Sequence, residues 1–200
     1  MLSDVHWDLL LREARSFNGW QPRAVEPALL QRLYALMKMG PTSMNCSPAR
    51  LVFVTSAAAR ERLLPLLSPG NVEKTRTAPI TVLIGHARHF QQRLPALFPH
   101  RPAAREMFEG NEMLRESTAF RNASLQGAYL MLAARGLGLD CGPMSGFNAA
   151  AIDAEFFAAD PAFAAEATTV NFLCNLGYGE HGSLFERLPR LAFDEACRLV

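Results

Sequence analysis

Five short stretches combine guanidinium, hydroxyl and amide groups with the glycines and prolines of loops. They are Arg15-Ser16-Phe17-Asn18, the run from Gly40 through Pro41, Thr42, Ser43 and Asn45 to Arg50, Gly70-Asn71-Val72-Glu73-Lys74, Pro143-Met144-Ser145-Gly146-Phe147-Asn148, and Arg187-Leu188-Pro189-Arg190. A planar guanidinium with several donors suits phosphates and carboxylates better than a point charge does. Amides and hydroxyls both donate and accept hydrogen bonds. Taken singly, each stretch reads as caps and turns; the information lies in the combination.

Other chemistries find less support. Gly177-Tyr178-Gly179-Glu180-His181-Gly182 is a literal G-x-G-x-x-G after an apolar run, but a dinucleotide unit needs a helix, a second parallel strand and an acidic residue ~20 positions on. Only 18 residues follow Gly182, and Pro189 interrupts them, so the motif reads as a turn. Cys46 has no nearby histidine and reads as a small loop residue rather than a nucleophile. The histidines (His6, His86, His89, His100, His181) show no metal-ligand spacing.

These stretches need elements to position them. Asp4 to Ser16 has helical apolar spacing, and Pro27 opens a second helix that stops at Gly40-Pro41. Leu51–Thr55, Pro79–Gly85 and Thr168–Leu176 read as buried strands, and Ala57–Leu67 and Ala149–Phe157 as helices. Arg88 to Gly110, with three prolines, reads as a mobile lid or irregular flap. Glu112 to Arg135 is a long helix, apolar on more than one face and therefore central or in a subunit interface. Gly136 to Pro143 is a turn with a short extended piece, and a last short helix starts at Asp194. Three or so strands with long helices between them make one α+β or α/β domain over residues 1–200, with strand order open.

The chain is half hydrophobic and one fifth charged, with a formal net charge of +1. A protein of this size builds its core without a disulfide or metal staple. The charge balance argues against a nucleic-acid coat or a polybasic membrane anchor, leaving small molecules or proteins as partners. The four cysteines are scattered, the first residues lack a signal-peptide pattern, and no apolar run approaches the ~20 residues of a membrane span. The expected location is the cytoplasm. Of the 20 basic residues only Lys38 and Lys74 are lysines, leaving 18 arginines, and none lies between Arg135 and Arg187.

The order of the polar stretches resembles the nitroreductase superfamily, and in particular its malonic semialdehyde reductase branch. The likeness rests on Asn18-Gly-Trp, Gly40-Pro-Thr-Ser with Asn45-Cys-Ser-Pro-Ala-Arg50, Thr118-Ala-Phe-Arg-Asn122, Gly142-Pro-Met-Ser-Gly-Phe147 and Arg187-Leu-Pro-Arg190, over nearly the whole chain. The resemblance implies an α+β fold with a central, mostly antiparallel sheet flanked by helices, in an intertwined homodimer with FMN at the interface. It places the FMN phosphate on Arg15, Ser16, Asn18 and Arg187, with Arg190 near. It places the ribityl chain and ring edge on Pro41, Thr42, Ser43 and Asn45 and on Asn71 and Lys74, and it assigns Met144, Ser145 and Gly146 to offer backbone N–H groups to the ring. Ala14 and Asn18 stand where many relatives carry basic residues, which shifts the phosphate load onto Arg15, Arg187 and Arg190.

The implied reaction is a ping-pong hydride transfer from NADH or NADPH, through FMN, to malonic semialdehyde in pyrimidine breakdown. No side chain is required as a covalent or acid-base catalyst. Two other readings use the same residues: a broad nitroaromatic, quinone or enone reductase, and a flavin-binding module without turnover.

Overall fold

The computed structural model describes residues 1–200. Its frame is a four-stranded sheet in the order β1-β2-β4-β3, with β1 Ala49–Val54, β2 Ile80–Ala87, β3 Asp140–Met144 and β4 Thr168–Gly177. Every pairing is antiparallel, so the fold is α+β. The piece after Gly136, expected as a short extension, is thus an edge strand.

The helices in chain order are α1 (Asp4–Trp7), α2 (Pro27–Met37), α3 (Ala57–Leu63), α4 (Pro69–Thr77), α5 (Leu94–Leu97), α6 (Ala104–Glu109), α7 (Glu112–Gly136), α8 (Ala149–Ile152), α9 (Pro161–Ala165) and α10 (Phe193–Ala196). Side-chain caps explain several starts: Ser56, Asn111, Asn148 and Asp160 each accept from a backbone N–H in the first turn that follows. Pro27 begins α2 where no intrahelical N–H is needed.

The two central strands are covered on both faces. Ile80, Val82 and Ile84 of β2 meet Leu33 and Met37 of α2 and Leu130 and Ala134 of α7 in one core. Leu83 and, from β4, Val170 and Leu173 meet Leu63, Ile152 and Phe157 in the other. The alternation follows from the two-residue period of a strand. At roughly 25 cal/mol per Å² of apolar surface removed from water, these two cores supply most of the drive to fold.

Three local expectations change. The N-terminal helix stops at Arg12, its last part being a π-turn from Asp8, and Ser16 instead pairs with Cys141 at the sheet edge. Residues 70–74, expected in a loop, lie in α4, because Pro69 opens a helix there. The 88–110 segment is not irregular: it holds a 3-10 turn at Phe90–Arg93 as well as α5 and α6, packed on Phe90, Leu94, Ala104 and Phe108.

The expected turn at Gly177–Gly182 is only partly one: Gly177 ends β4, Gly179 bridges Trp20, and a 3-10 turn follows at His181–Ser183. Gly179 is there for contact: a Cβ on it would lie 2.1 Å from the Phe17 ring. That close approach holds the Arg15–Asn18 segment against the end of the sheet.

Candidate functional site

Ser16 is bound to the sheet edge by its bridge to Cys141 and by the Phe17 N–H, which donates to the Cys141 carbonyl at 3.0 Å. Beside it the two ends of the chain are tied reciprocally. Arg15 donates to the Phe185 carbonyl, and Arg187 Nη2 donates to the Ala14 carbonyl at 3.1 Å. The result is a cleft of about 780 Å³ lined by Arg12, Arg15, Ser16, Asn18, Arg135, Arg187 and Arg190 among others. All five residues expected at a phosphate group therefore meet in one place.

The charge of this cleft is unbalanced. Arg12 is paired with Asp4 and Asp8, but Arg15, Arg135, Arg187 and Arg190 take part in none of the chain's ion pairs. Glu186 is the one carboxylate in the lining. Four unpaired guanidinium groups around one concavity could hold an anion with more than one charge.

Strand β3 leads from this cleft to a second group. Met144 lies three residues beyond Cys141, roughly 10 Å along the strand, and Ser145 and Gly146 follow. The Gly146 carbonyl accepts from Asn71 Nδ2 at 2.7 Å and from the Ser68 N–H at 3.0 Å. The N–H groups of Ser145 and Gly146 find no acceptor within the chain. Gly146 must be glycine for this approach, since a Cβ would lie 2.7 Å from Asn71 Nδ2.

Helix α4 brings Asn71 and Lys74 to one face by their three-residue spacing. Asn175 Nδ2 and Thr75 anchor that helix: the amide donates to the Lys74 carbonyl and to Thr75 Oγ1 at 3.1 and 3.2 Å. Burial pushes the Lys74 ammonium below its ordinary pKa.

The loop of Pro41, Thr42, Ser43 and Asn45 lies elsewhere, against α7. Asn122 Oδ1 accepts from the Ser43 N–H at 2.8 Å, Gln126 Oε1 from the Ala49 N–H at 2.8 Å, and Tyr129 donates to the Pro41 carbonyl at 3.0 Å. Asn45 Nδ2 donates to the Leu97 carbonyl, joining the loop to α5. Met44, Asn45 and Ser47 all have positive φ, from 38° to 51°, and such conformations cluster where a loop is held for function. Asn122 lies 13 residues before Arg135 on α7, about 20 Å along its axis. Within one chain, then, this loop does not join the arginine cleft.

Several participants escaped the sequence reading. Arg135 and Arg12 line the cleft, although nothing local distinguishes them from surface arginines. Asn122, Gln126 and Tyr129 form a polar stripe on α7 at spacings of four and three, and that helical periodicity was the available signal. Cys46 is buried, and burial raises its thiol pKa to about 11, so it stays protonated.

The profile of the nitroreductase family matches residues 11–178. A Cupriavidus pinatubonensis protein named NADH dehydrogenase/NAD(P)H nitroreductase is 54% identical over 195 residues, covering 96% of each chain. A Burkholderia lata protein of the same designation is 55% identical over 198 residues, covering 99% of this chain and 98% of its own. Among solved structures, a nitroreductase from Exiguobacterium sibiricum in complex with FMN superposes with a TM-score of 0.84 at 17% identity, over 98% of this chain and 97% of that one. No helix is long and apolar enough to cross a membrane.

Proposed function

The chain belongs to the nitroreductase family, and from that premise we propose that it is an FMN-dependent NAD(P)H oxidoreductase. The observation that carries the cofactor is the layout along β3, with four unpaired arginines at one end and two unpaired backbone N–H groups at the other. These residues fit the group. A phosphate monoester brings about two negative charges near neutral pH, and the polar edge of a flavin ring needs donors.

When bound, FMN would supply hydride-transfer chemistry between a nicotinamide and the acceptor. The chain's residues bind and orient. Arg15, Arg187 and Arg190 hold the phosphate with Ser16, and Asn18 borders it. Asn71 fixes the Gly146 carbonyl, which leaves the Ser145 and Gly146 N–H groups free for the ring, with Met144 leading into them. Lys74 supplies positive charge beside the pyrimidine edge, favouring the electron-rich reduced state.

The Pro41, Thr42, Ser43 and Asn45 loop completes the site from a second copy of the chain. Apolar surface on α7 supports such a homodimer. Phe120 and Leu125 are exposed beside a shallow cavity of about 550 Å³ lined by Ser117, Phe120, Arg121, Ser124, Leu125 and Ala128. Phe185, Leu188, Leu191 and Phe193 of the C-terminal segment are exposed as well. Exposed apolar side chains in this number mark candidate interfaces.

The acceptor in this reading is malonic semialdehyde, reduced to 3-hydroxypropionate in pyrimidine breakdown, on the strength of the sequence blocks that resemble that branch. A second reading, a nitroaromatic acceptor, is favoured by the nitroreductase designation of the relatives, and a quinone acceptor is a variant of it. The purified protein should be yellow and bleach on adding NADH or NADPH. Reoxidation rates with malonic semialdehyde, a quinone and a nitroaromatic then rank the acceptors, and a semialdehyde slower than both others removes the first reading. A colourless protein that takes up no added FMN removes both.

A further inference from the structure

We infer that Arg135, in the lining of the arginine cleft, is a further phosphate-binding residue that makes the site selective for a flavin carrying a phosphate monoester. The inference rests on the FMN reading above and adds a residue to it. Arg135 closes α7, far in sequence from both chain ends. It is nevertheless brought beside Ser16 by packing: Cys141, the bridge partner of Ser16, donates through Sγ to the Met131 carbonyl at 3.7 Å. Arg135 follows Met131 by four residues and so lies one turn further on the same face.

The arginine has more donors than the chain uses. Nη1 donates to the Leu10 carbonyl at 2.8 Å, tying down the π-turn that follows α1. Nε is buried without a partner, and no carboxylate pairs with the charge. A tie to one carbonyl needs only a neutral donor. A partly buried guanidinium left without a counter-charge is unfavourable, and an anion in the cleft removes that cost. Arg15, Arg187 and Arg190 come from the two chain ends; Arg135 comes from the rigid central helix. A dianion is then gripped by groups of independent origin, and the neutral part of the ligand gains nothing from the fourth.

The experiment compares FMN with riboflavin, which lacks the phosphate, on the flavin-free protein, by flavin fluorescence quenching. Arg135→Gln keeps a donor for the Leu10 carbonyl and removes the charge. It should weaken FMN binding by roughly 10- to 100-fold, the range of a charge-assisted hydrogen bond, and leave riboflavin within about twofold. Arg135→Lys should fall between, with riboflavin again unchanged, and it decides the matter if the glutamine variant does not fold. Equal weakening of both flavins would reduce Arg135 to a tie for the N-terminal segment and overturn the inference, as would unchanged binding of both. A wild-type protein that prefers FMN while Arg135→Gln keeps that preference defeats Arg135 alone. A wild-type protein that binds neither flavin defeats the cofactor reading and this inference with it.

Discussion

Two groups of arginines in this molecule have opposite fates. In one, Arg50 and Arg93 converge on Glu166, whose side chain is only 6% exposed. In the other, Arg15, Arg135, Arg187 and Arg190 surround a cleft and pair with no carboxylate. The first group joins β1 and the 88–93 turn to the segment before β4, and its charges are spent on a buried carboxylate. Charges spent in that way hold a structure, whereas charges left unpaired around a concavity are available to a ligand. Residue type does not separate the two; the presence of a buried counter-charge does.

The largest effect should come from breaking the paired group. Glu166→Gln leaves Arg50 and Arg93 without their shared carboxylate and should cost about 3 kcal/mol, read as a drop of roughly 10 °C in the thermal midpoint of the flavin-free protein. Its FMN affinity per folded molecule should be unchanged. A variant that keeps its midpoint would show the network to be ornamental.

Breaking the unpaired group should have the reverse signature. Arg187→Ala should lose about 1–3 kcal/mol of FMN binding, while its riboflavin affinity and flavin-free midpoint stay near those of the parent. If stability falls and flavin affinity holds, the assignment of the two groups is inverted.

Acidity sharpens the same contrast. Burial alone would raise the Glu166 pKa, but hydrogen bonds and charges from Arg50 and Arg93 outweigh it and hold the carboxyl below its ordinary value of 4.5. A group depressed in the folded state contributes stability that is present above the unfolded pKa and lost as pH falls through the folded one. Urea unfolding between pH 6 and pH 3 should therefore show a loss of stability at the acid end that Glu166→Gln lacks. A parallel slope in both proteins would contradict this.

Salt should give the smallest effect. Screening at ~1 M ionic strength shortens the Debye length to about 3 Å, so FMN affinity should fall several-fold while the buried Glu166 network barely responds. FMN binding titrated against salt, with riboflavin as control, measures it; equal salt dependence for the two flavins would argue against a phosphate in the cleft.

The strands and the long helix were legible because each is a local pattern: an apolar run bounded by turn residues, or apolar residues repeating over seven turns of helix. Strand direction was not legible in the runs themselves, since β2 and β4 are covered on both faces and a fully apolar run has no alternation to read. It came from the family resemblance, and every pairing is antiparallel as that implied. Asn71 and Lys74 were identified as a pair from the resemblance, yet their helix was read as a loop, because Gly70 masked the helix start set by Pro69. The flap between residues 88 and 110 was read from its prolines, while its order comes from Phe90, Leu94 and Phe108, whose burial is visible only in three dimensions.

By itself, the sequence determined most of the element types, the absence of strong net charge, the five polar stretches, and an arginine-free interval from Gly136 to Glu186. These are properties of residue type and spacing, and they need no partner elsewhere in the chain. Only the tertiary structure decided that Arg135 joins Arg15 and Arg187, which the family resemblance had grouped, in one cleft, and that the Pro41–Asn45 loop stands apart from it. Meetings across more than a hundred residues are set by which apolar faces pack together, and burial, unlike helical or strand period, leaves no local trace of the partner it will choose.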